Sequence, residues 1–542
     1  MSFGHARRSG PGAIGRWVRP AAAVVLLAVI AAVVLLSGIA AGGSRTGAPI
    51  GDGHQSPVGG SGQPVAQPPV PPLRGRRRPN IVFVLTDDLS SDLVAFMPHV
   101  QSMERSGLTF TNYFVSDSLC CPSRASIFTG NFPHDTHVFS NVGRNGGFHI
   151  FHRRGEEHHT FAVALRRAGY RTAMMGKYLN GYLEGPGSDP RVRPTYVPPG
   201  WSTWDVAGDG YPEFNYTMNE NGHLHHYGHA AADYLTDVIA RKGRRFIDRS
   251  AASGHPFFLE LATFAPHRPY TPAPRDRQDF PYLQAPRPPS FNRVPTHAPI
   301  WLGWRPPLDS EQIAQIDQDY RLRADSVQSV DDMLGSIEQT LAADGLTRDT
   351  YVIFSSDNGL HMGQYRLAPG KLTAFDTDIH VPLVVVGPGV PTDARTPKVS
   401  ENIDLAPTFA ALGRTSLRAD GHSLAGLLHG ERAPRWPDAA LVEHRGPLRV
   451  PGDPDFQGPG SGNPPSYEAM RTPRFLYVEY RDGEREYYDL KRDPYELHNI
   501  AGRLHRRRLA QLHRALVAIE HCHGGRACWA ALHVGGHRQH RR

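Results

Sequence analysis

The residues best suited to chemistry cluster behind apolar runs. Asp87 and Asp88 are adjacent and follow the run 80–85 after Thr86, while Asp357-Asn358-Gly359 follows the run 351–355 after Ser356. Ala265-Pro266-His267 comes after 257–263, and Gly176-Lys177 after 172–175. Adjacent carboxylates behind a buried strand repel each other unless a cation or hydrogen-bond donors offset them. Asp87, Asp88, Asp357 and Asn358 together offer hard oxygen ligands, which suit Ca2+ or Mg2+ better than zinc, a metal that prefers His and Cys. A further group is Cys120-Cys121-Pro122-Ser123-Arg124, continuing to Thr129-Gly130. Pro122 suits the first helical position and Gly130 a helix end. Cys120 is therefore expected at a helix N-terminus, where free N–H groups and the helix dipole attract an anion. Arg124 lies one turn along, placed to balance negative charge at the same spot. A Cys-x5-Arg phosphatase loop is excluded, because the residues six beyond Cys120 and Cys121 are Ser126 and Ile127. The competing reading of these thiols is a vicinal or long-range disulfide; Cys522 and Cys528 are expected to pair with each other across a short loop instead.

The elements that must position these groups are legible in outline. Near-continuous apolar strands at 80–85, 172–175, 257–263, 351–355 and 381–386 are separated by helical patterns at 160–168, 229–251 and 311–343. That alternation predicts an α/β fold with a mainly parallel sheet covered on both faces by helices. In such a sheet ligands gather at the carboxyl ends of the strands, and four of the strands named here end in reactive groups. After about residue 430 the pattern breaks into a Pro/Gly-rich stretch, 445–466. A hairpin (475–480 and 484–490) and a helix (504–520) follow, which predicts a smaller α+β subdomain. The expected division is a catalytic domain at 79–430 and a C-terminal subdomain with a basic tail at 431–542.

Ahead of the folded body, Arg7, Arg8, Arg16 and Arg19 precede an unbroken apolar run, 21–36, followed by small residues. Residues 1–42 are expected to be a signal peptide or a signal anchor, with 21–41 as the membrane segment in the second case. Either one places the body outside the cytoplasm. The Pro/Gly-rich stretch 43–78 has little to bury and is expected to be a linker. The 542 residues carry 59 Lys+Arg against 52 Asp+Glu. That basicity sits at the ends, since residues 1–78 and 501–542 each hold nine Arg and one acid, which leaves 79–500 net acidic. No nucleic-acid partner is therefore expected for the body.

The motif C-C-P-S-R-A-S-I-F-T-G resembles the type I sulfatase signature, C-x-P-S-R followed by x4-T-G. Other segments agree in order: P-N-I-V-F-V-L-T-D-D, G-Y-R-T-A-M-M-G-K-Y-L-N, A-P-H-R-P, S-S-D-N-G, G-K-L-T-A-F-D-T-D-I-H-V-P, D-L-A-P-T and Y-Y-D-L-K-R-D-P-Y-E-L-H-N-I. So many segments in sequence, across roughly 79–500, make the resemblance specific. G-K-Y-L-N and S-D-N-G-L-H-M-G-Q are similar to the N-acetylglucosamine-6-sulfatase branch.

The resemblance implies an alkaline-phosphatase-like fold. It also implies that a separate maturation enzyme oxidises Cys120 to formylglycine, whose hydrate attacks sulfur through one hydroxyl and expels sulfate through the other. Asp87, Asp88, Cys120, Asp357 and Asn358 match the Ca2+ site. Arg124, Lys177 and Lys371 match basic residues around the diol and sulfate, and His267 matches a sulfate-contacting histidine, a candidate proton donor. Only five lysines occur in the chain, and two of them are Lys177 and Lys371. One departure stands out: many sulfatases carry His two positions after the motif Lys, where this chain has Leu179, and Asn180 beside it is no base. Deprotonation of the diol is thus unassigned, with His137 and His361 as possible neighbours. The expected substrate is a sulfated sugar, with 6-O-sulfo-N-acetylglucosamine first. The alternatives are a phosphonate monoester or phosphodiester hydrolase on the same scaffold, and a catalytically silent binder of sulfated glycans.

Overall fold

A computed structural model describes residues 78–143, 146–183, 188–448, 450, 452–458 and 460–534. The expected export segment at 1–42, nearly all of the linker and the end of the basic tail lie outside these residues.

The body is built on a ten-stranded sheet. Its spatial order is Ala394–Thr396, Leu108–Phe110, Leu383–Val386, Thr350–Ser356, Asn80–Thr86, Phe257–Ala262, Arg171–Lys177, Thr203–Ala207, Tyr216–Glu220 and His223–Tyr227. The five strands from Thr350–Ser356 to Thr203–Ala207 run parallel. Leu383–Val386 runs antiparallel to both neighbours, and the two strands at the far edge form an antiparallel extension.

Alternation along Asn80–Thr86 shows why the sheet is buried on both faces. Ile81, Phe83 and Leu85 join one apolar cluster with Ile127, Phe128, Leu165 and Phe409. Val82 and Val84 join another with Val100, Ile239, Val330 and Ile337. The first cluster is covered by the helices Cys120–Thr129, Phe161–Arg167 and Leu405–Leu412, the second by Pro98–Ser106, Leu235–Ser253 and Ser310–Ala343. Burying side chains of this size is worth about 1.5–3 kcal/mol each, so both faces hold the strands in register. The helix Ser310–Ala343 starts at a reciprocal cap, in which the Asp309 carboxylate accepts from Gln312 N at 2.9 Å and the Gln312 side chain accepts from Asp309 N at 3.0 Å.

A second sheet is wholly antiparallel: Ala440–His444, Tyr467–Arg471, Phe475–Tyr480 and Arg485–Asp489. One of its faces, with Ala440, Val442, Leu476 and Val478, shares the apolar cluster of Phe83. The other, with Leu441, Met470 and Tyr477, packs on Leu512, Leu516 and Ile519 of the helix Arg506–Glu520. Cys522 and Cys528 are disulfide-bonded just beyond that helix, while Cys120 and Cys121 are free and buried.

His134 ties this C-terminal region to the body. Its Nδ1 bonds Glu443 Oε2 at 2.9 Å and its Nε2 bonds the Cys522 carbonyl at 2.8 Å. Both partners are acceptors, so the ring carries two protons. Burial opposes that charge, but the Glu443 carboxylate and the carbonyl outweigh it, and the imidazolium is pushed up from 6.5 to about 9. A histidine whose folded value is raised stabilises fully below its unfolded value, and the gain is lost as pH climbs through the folded one. We expect wild type to exceed His134→Gln by about 1–2 kcal/mol at pH 6, with solvent screening of the partly wet ring taken into account. That gap should close by pH 10 in paired denaturant titrations; a gap that widens with pH would contradict the clamp.

Candidate active site

Five segments converge on one buried point at the carboxyl edge of the parallel strands. Asn80–Thr86 delivers Asp87 and Asp88, Thr350–Ser356 delivers Asp357 and Asn358, and Arg171–Lys177 ends in Lys177 itself. The loop after Phe257–Ala262 brings His267, and the segment before Asp376 brings Lys371. Asp88 takes up a left-handed backbone at φ 63°, and Leu372, beside Lys371, does so at φ 83°. Strain of about 1–3 kcal/mol at such positions persists only where the surroundings enforce it. At Asp88 the enforcer is Arg323, fully buried in the long helix, whose guanidinium donates to the Asp88 carbonyl at 2.6 Å. Gly176 is required for the approach of Lys177: at φ +100° a Cβ there would lie 1.9 Å from the Ala262 carbonyl oxygen.

Cys120 is the first residue of the helix Cys120–Thr129, with Leu119 as its extended N-cap. The helix thus begins two residues earlier than Pro122 alone indicates; Pro is tolerated in the first turn because no intrahelical partner awaits its missing N–H. Gly130 closes the helix in a left-handed conformation, as expected from its sequence position. The Cys120 sulfur lies 3.0 Å from Lys371 Nζ, 3.2 Å from Asp87 Oδ1 and 3.3 Å from Asp455 Oδ2. Burial, reinforced by Asp357, Asp455 and Asp87, pushes its thiol well above the ordinary value, so an unmodified sulfur here is neutral. Cys121 points the other way, into the apolar cluster, with its sulfur against Asn180.

The charges around this sulfur interlock. Lys177 pairs with Asp87 Oδ2, and its ammonium sits 4.8 Å from the centre of the Tyr211 ring. Lys371 pairs with Asp88 at 2.6 Å and with Asp455 at 2.7 Å. Arg124 Nε holds Asp357 at 2.7 Å and its Nη1 donates to the Lys177 carbonyl at 3.0 Å. His267 donates from Nδ1 to the Arg268 carbonyl at 2.6 Å, which fixes the ring and leaves Nε2, 2.7 Å from Asp455 Oδ1, as the working nitrogen. Burial disfavours the charged ring, but Asp455, Asp88 and Asp87 outweigh it, so His267 titrates above the ordinary value and its Nε2 carries a proton.

Two buried polar atoms in this site have no hydrogen-bond partner: Asn358 Oδ1, an acceptor, and Arg124 Nη2, a donor 4.0 Å from Asp87. Orphans of this kind at a buried site call for a ligand, here a cation for the oxygen and an anion for the N–H. Burial and, after it, Asp87 push Asp357 up to about 6 against the pull of Arg124, Lys177 and Lys371, so its carboxylate is under-compensated where it sits. Ligand atoms of Asp87, Asp88, Cys120 and His267 lie within 4.8 Å of one another. His267 is not an available ligand, since its Nε2 carries the proton given to Asp455. What remains is oxygen from Asp87, Asp88, Asp357 and Asn358 beside the Cys120 side chain, and the oxygen set fits a hard divalent cation.

Asp87, Asp88, Cys120, Arg124, Lys177, His267, Asp357, Asn358 and Lys371 are all placed around this one point. The two candidates for the unassigned base are not: His137 is exposed, and both ring nitrogens of His361 are engaged by Asp378 and by the Ser461 carbonyl. Sequence reasoning missed Asp455, which reaches Cys120, Lys371 and His267 at once, and Asn141, which donates to Asp455 at 2.6 Å. Asp455 comes from the Pro/Gly-rich stretch 445–466, whose lack of periodicity gave no sign of where it packs.

Comparison with known proteins points the same way. The Sulfatase family profile matches residues 79–414. The N-acetylglucosamine-6-sulfatase of Homo sapiens is 34% identical over 479 residues, 83% of this chain and 86% of that protein. The arylsulfatase of Volvox carteri is 28% identical, over 85% of this chain and 77% of that one. Among solved structures, a protein in complex with its substrate D-glucosamine-2-N,6-O-disulfate superposes with a TM-score of 0.64 at 22% identity, covering 82% of this chain and 97% of that one. The phosphonate monoester hydrolase of Agrobacterium radiobacter does so with a TM-score of 0.62 at 22% identity, covering 82% and 95%. At such identities these two likenesses establish the shared fold.

Proposed function

This chain belongs to the sulfatase family and is a sulfuric ester hydrolase, and from that premise we propose that it removes sulfate from 6-O-sulfo-N-acetylglucosamine or a closely similar sulfated sugar, by a formylglycine made from Cys120, with Ca2+ held by Asp87, Asp88, Asp357 and Asn358. The observation that carries the proposal is the convergence of Arg124, Lys177, Lys371 and His267 on the buried Cys120 side chain. The identity to N-acetylglucosamine-6-sulfatases over most of the chain supports the choice of sugar.

Formylglycine supplies a hydrated carbonyl as nucleophile, and a divalent cation supplies charge stabilisation on oxygen. The chain's own residues do the rest. Lys371, 3.0 Å from the Cys120 side chain, holds the nucleophile and its incoming negative charge. The free Arg124 Nη2 donates to a sulfo oxygen, and Lys177, pinned between Asp87 and the Tyr211 ring, lines the same side. His267 Nε2 passes its proton to the departing alcohol oxygen. Burial of the whole set excludes bulk water and strengthens each of these charges.

We also place the enzyme outside the cytoplasm or in a lumenal compartment. The basic and apolar residues 1–42 and relatives named as extracellular sulfatases support this. No helix among the described residues is long and apolar enough to cross a membrane, and the apolar run 21–36 lies outside them.

Sulfate release from 6-O-sulfo-N-acetylglucosamine should be compared with hydrolysis of a phosphodiester and a phosphonate monoester on the same matured, Ca2+-loaded protein. The sulfate ester is expected to dominate kcat/KM; dominance of the phosphorus esters would overturn the substrate assignment.

A further inference from the structure

Asp455 is the one carboxylate at this site with no place among the metal's oxygen donors. It is 1% exposed. Its Oδ1 bonds Lys371 Nζ and His267 Nε2, both at 2.7 Å. Its Oδ2 lies 3.3 Å from the Cys120 sulfur and accepts from Asn141 Nδ2 at 2.6 Å. Lys371 beside the nucleophile and His267 at the departing oxygen flank the position a substrate's sulfo group must take, and Asp455 already spans them with a singly charged, two-oxygen group. A carboxylate and a sulfate monoester cannot share those donors: two monoanions within van der Waals contact at a buried site repel strongly.

We infer that Asp455 is a built-in competitor for the sulfate position, a residue that sets specificity by making every anion displace a carboxylate before it can reach Lys371 and His267. The inference rests on the roles proposed above for those two residues at the nucleophile and at the departing oxygen. For a sulfate monoester displacement exchanges one negative charge for another, so an ester with further contacts gains on balance. The inorganic sulfate product is a dianion without sugar contacts and must displace the carboxylate on charge alone. The result is a site that binds the ester selectively and lets the product go.

The way Asp455 is held fits this role. Residues 452–458 form neither helix nor strand, and Phe456 beside it is 41% exposed. Local hydrogen bonds fix the segment: Asp455 N to Asp453 Oδ1 at 2.9 Å, and Gln457 Nε2 to the Asp455 carbonyl at 2.8 Å. Apart from Asn141, every partner of the carboxylate belongs to the reacting centre. Gly452 and Pro454 line a small cavity of about 100 Å³ with Asn180, Asp209 and Tyr211, directly beside Lys177. A leaving group seated there would press on the segment that carries Asp455.

The test is calorimetric titration of inorganic sulfate into full-length, matured, Ca2+-loaded wild type, Asp455→Asn, Asp455→Glu and Asp453→Asn. Asp455→Asn should bind sulfate at least about tenfold more tightly, since removing one charge of a buried pair frees its partners for another anion. Asp455→Glu and Asp453→Asn should stay near wild type. Unchanged or weaker binding by Asp455→Asn overturns the inference, the second outcome making Asp455 a support for Lys371 instead. If Asp455→Asn does not fold, a crystal structure of wild type with sulfate decides. Asp455 parted from Lys371 and His267 upholds the inference, and Asp455 still bonded to both beside a bound sulfate overturns it. Sulfate binding is read without turnover, so the two claims fail separately. A protein inert toward sulfated sugars that still shows the tenfold gain loses only the proposed function, and an active sulfatase without the gain loses only the role of Asp455.

Discussion

Cys120→Ala should lower sulfate-ester turnover by about 10³-fold or more while leaving the thermal unfolding midpoint almost unchanged, because on the function proposed above the side chain it removes carries the covalent nucleophile and is not a packing element. Cys121→Ala should do the opposite. Its thiol sits in the apolar cluster against Asn180, so truncation costs about 1 kcal/mol of stability and leaves turnover within a few-fold. The contrast is informative because the two residues are neighbours in the same helical turn and both are fully buried. Steady-state kinetics and thermal melts on both variants check it. Equal losses of activity would remove the nucleophile assignment.

Asp357→Ala should be damaging in two ways. It deletes an oxygen of the proposed cation site, and it leaves the Arg124 guanidinium, wholly buried and held through Nε at 2.7 Å, without its carboxylate. Removing one partner of such a pair costs about 3–5 kcal/mol. We expect the variant to lose bound Ca2+ on dialysis, to melt lower and to be inactive. A chelator applied to wild type should remove activity, and added Ca2+ should restore it, with far less effect on folding since Arg124 keeps its partner. Metal analysis by mass spectrometry separates the two effects. A variant that retains one equivalent of Ca2+ would take Asp357 out of the ligand set.

Much of this site is written locally. Asp87, Asp88, Asp357, Asn358 and Lys177 each sit at or just past the end of an apolar strand, and parallel strands in one sheet end at one edge, so pattern alone brings them together. Cys120 and Arg124 are fixed by one helix with a proline in its first turn and a glycine closing its end. The last two strands on one side, Tyr216–Glu220 and His223–Tyr227, were not legible, because the first is a mixed Tyr-Thr-Met-Asn-Glu and the second is exposed and His-rich, so neither carries the apolar run that marks a buried strand. The direction of Leu383–Val386 was equally hidden, since a buried strand reads the same whether it runs parallel or antiparallel. Asp455 was invisible for a different reason: it reaches the centre across a loop separated from Cys120 by 335 residues, and only tertiary packing of the second sheet brings it there.

One measurement bears on the central claim most directly: the mass of the tryptic peptide 106–124 from protein made in a host that carries the maturation enzyme. That peptide contains Cys120 and Cys121 and ends at Arg124. The account predicts an aldehyde in place of the first thiol, with the second unchanged, in the same preparation that hydrolyses the sulfate ester. Two intact thiols in fully active protein would contradict it.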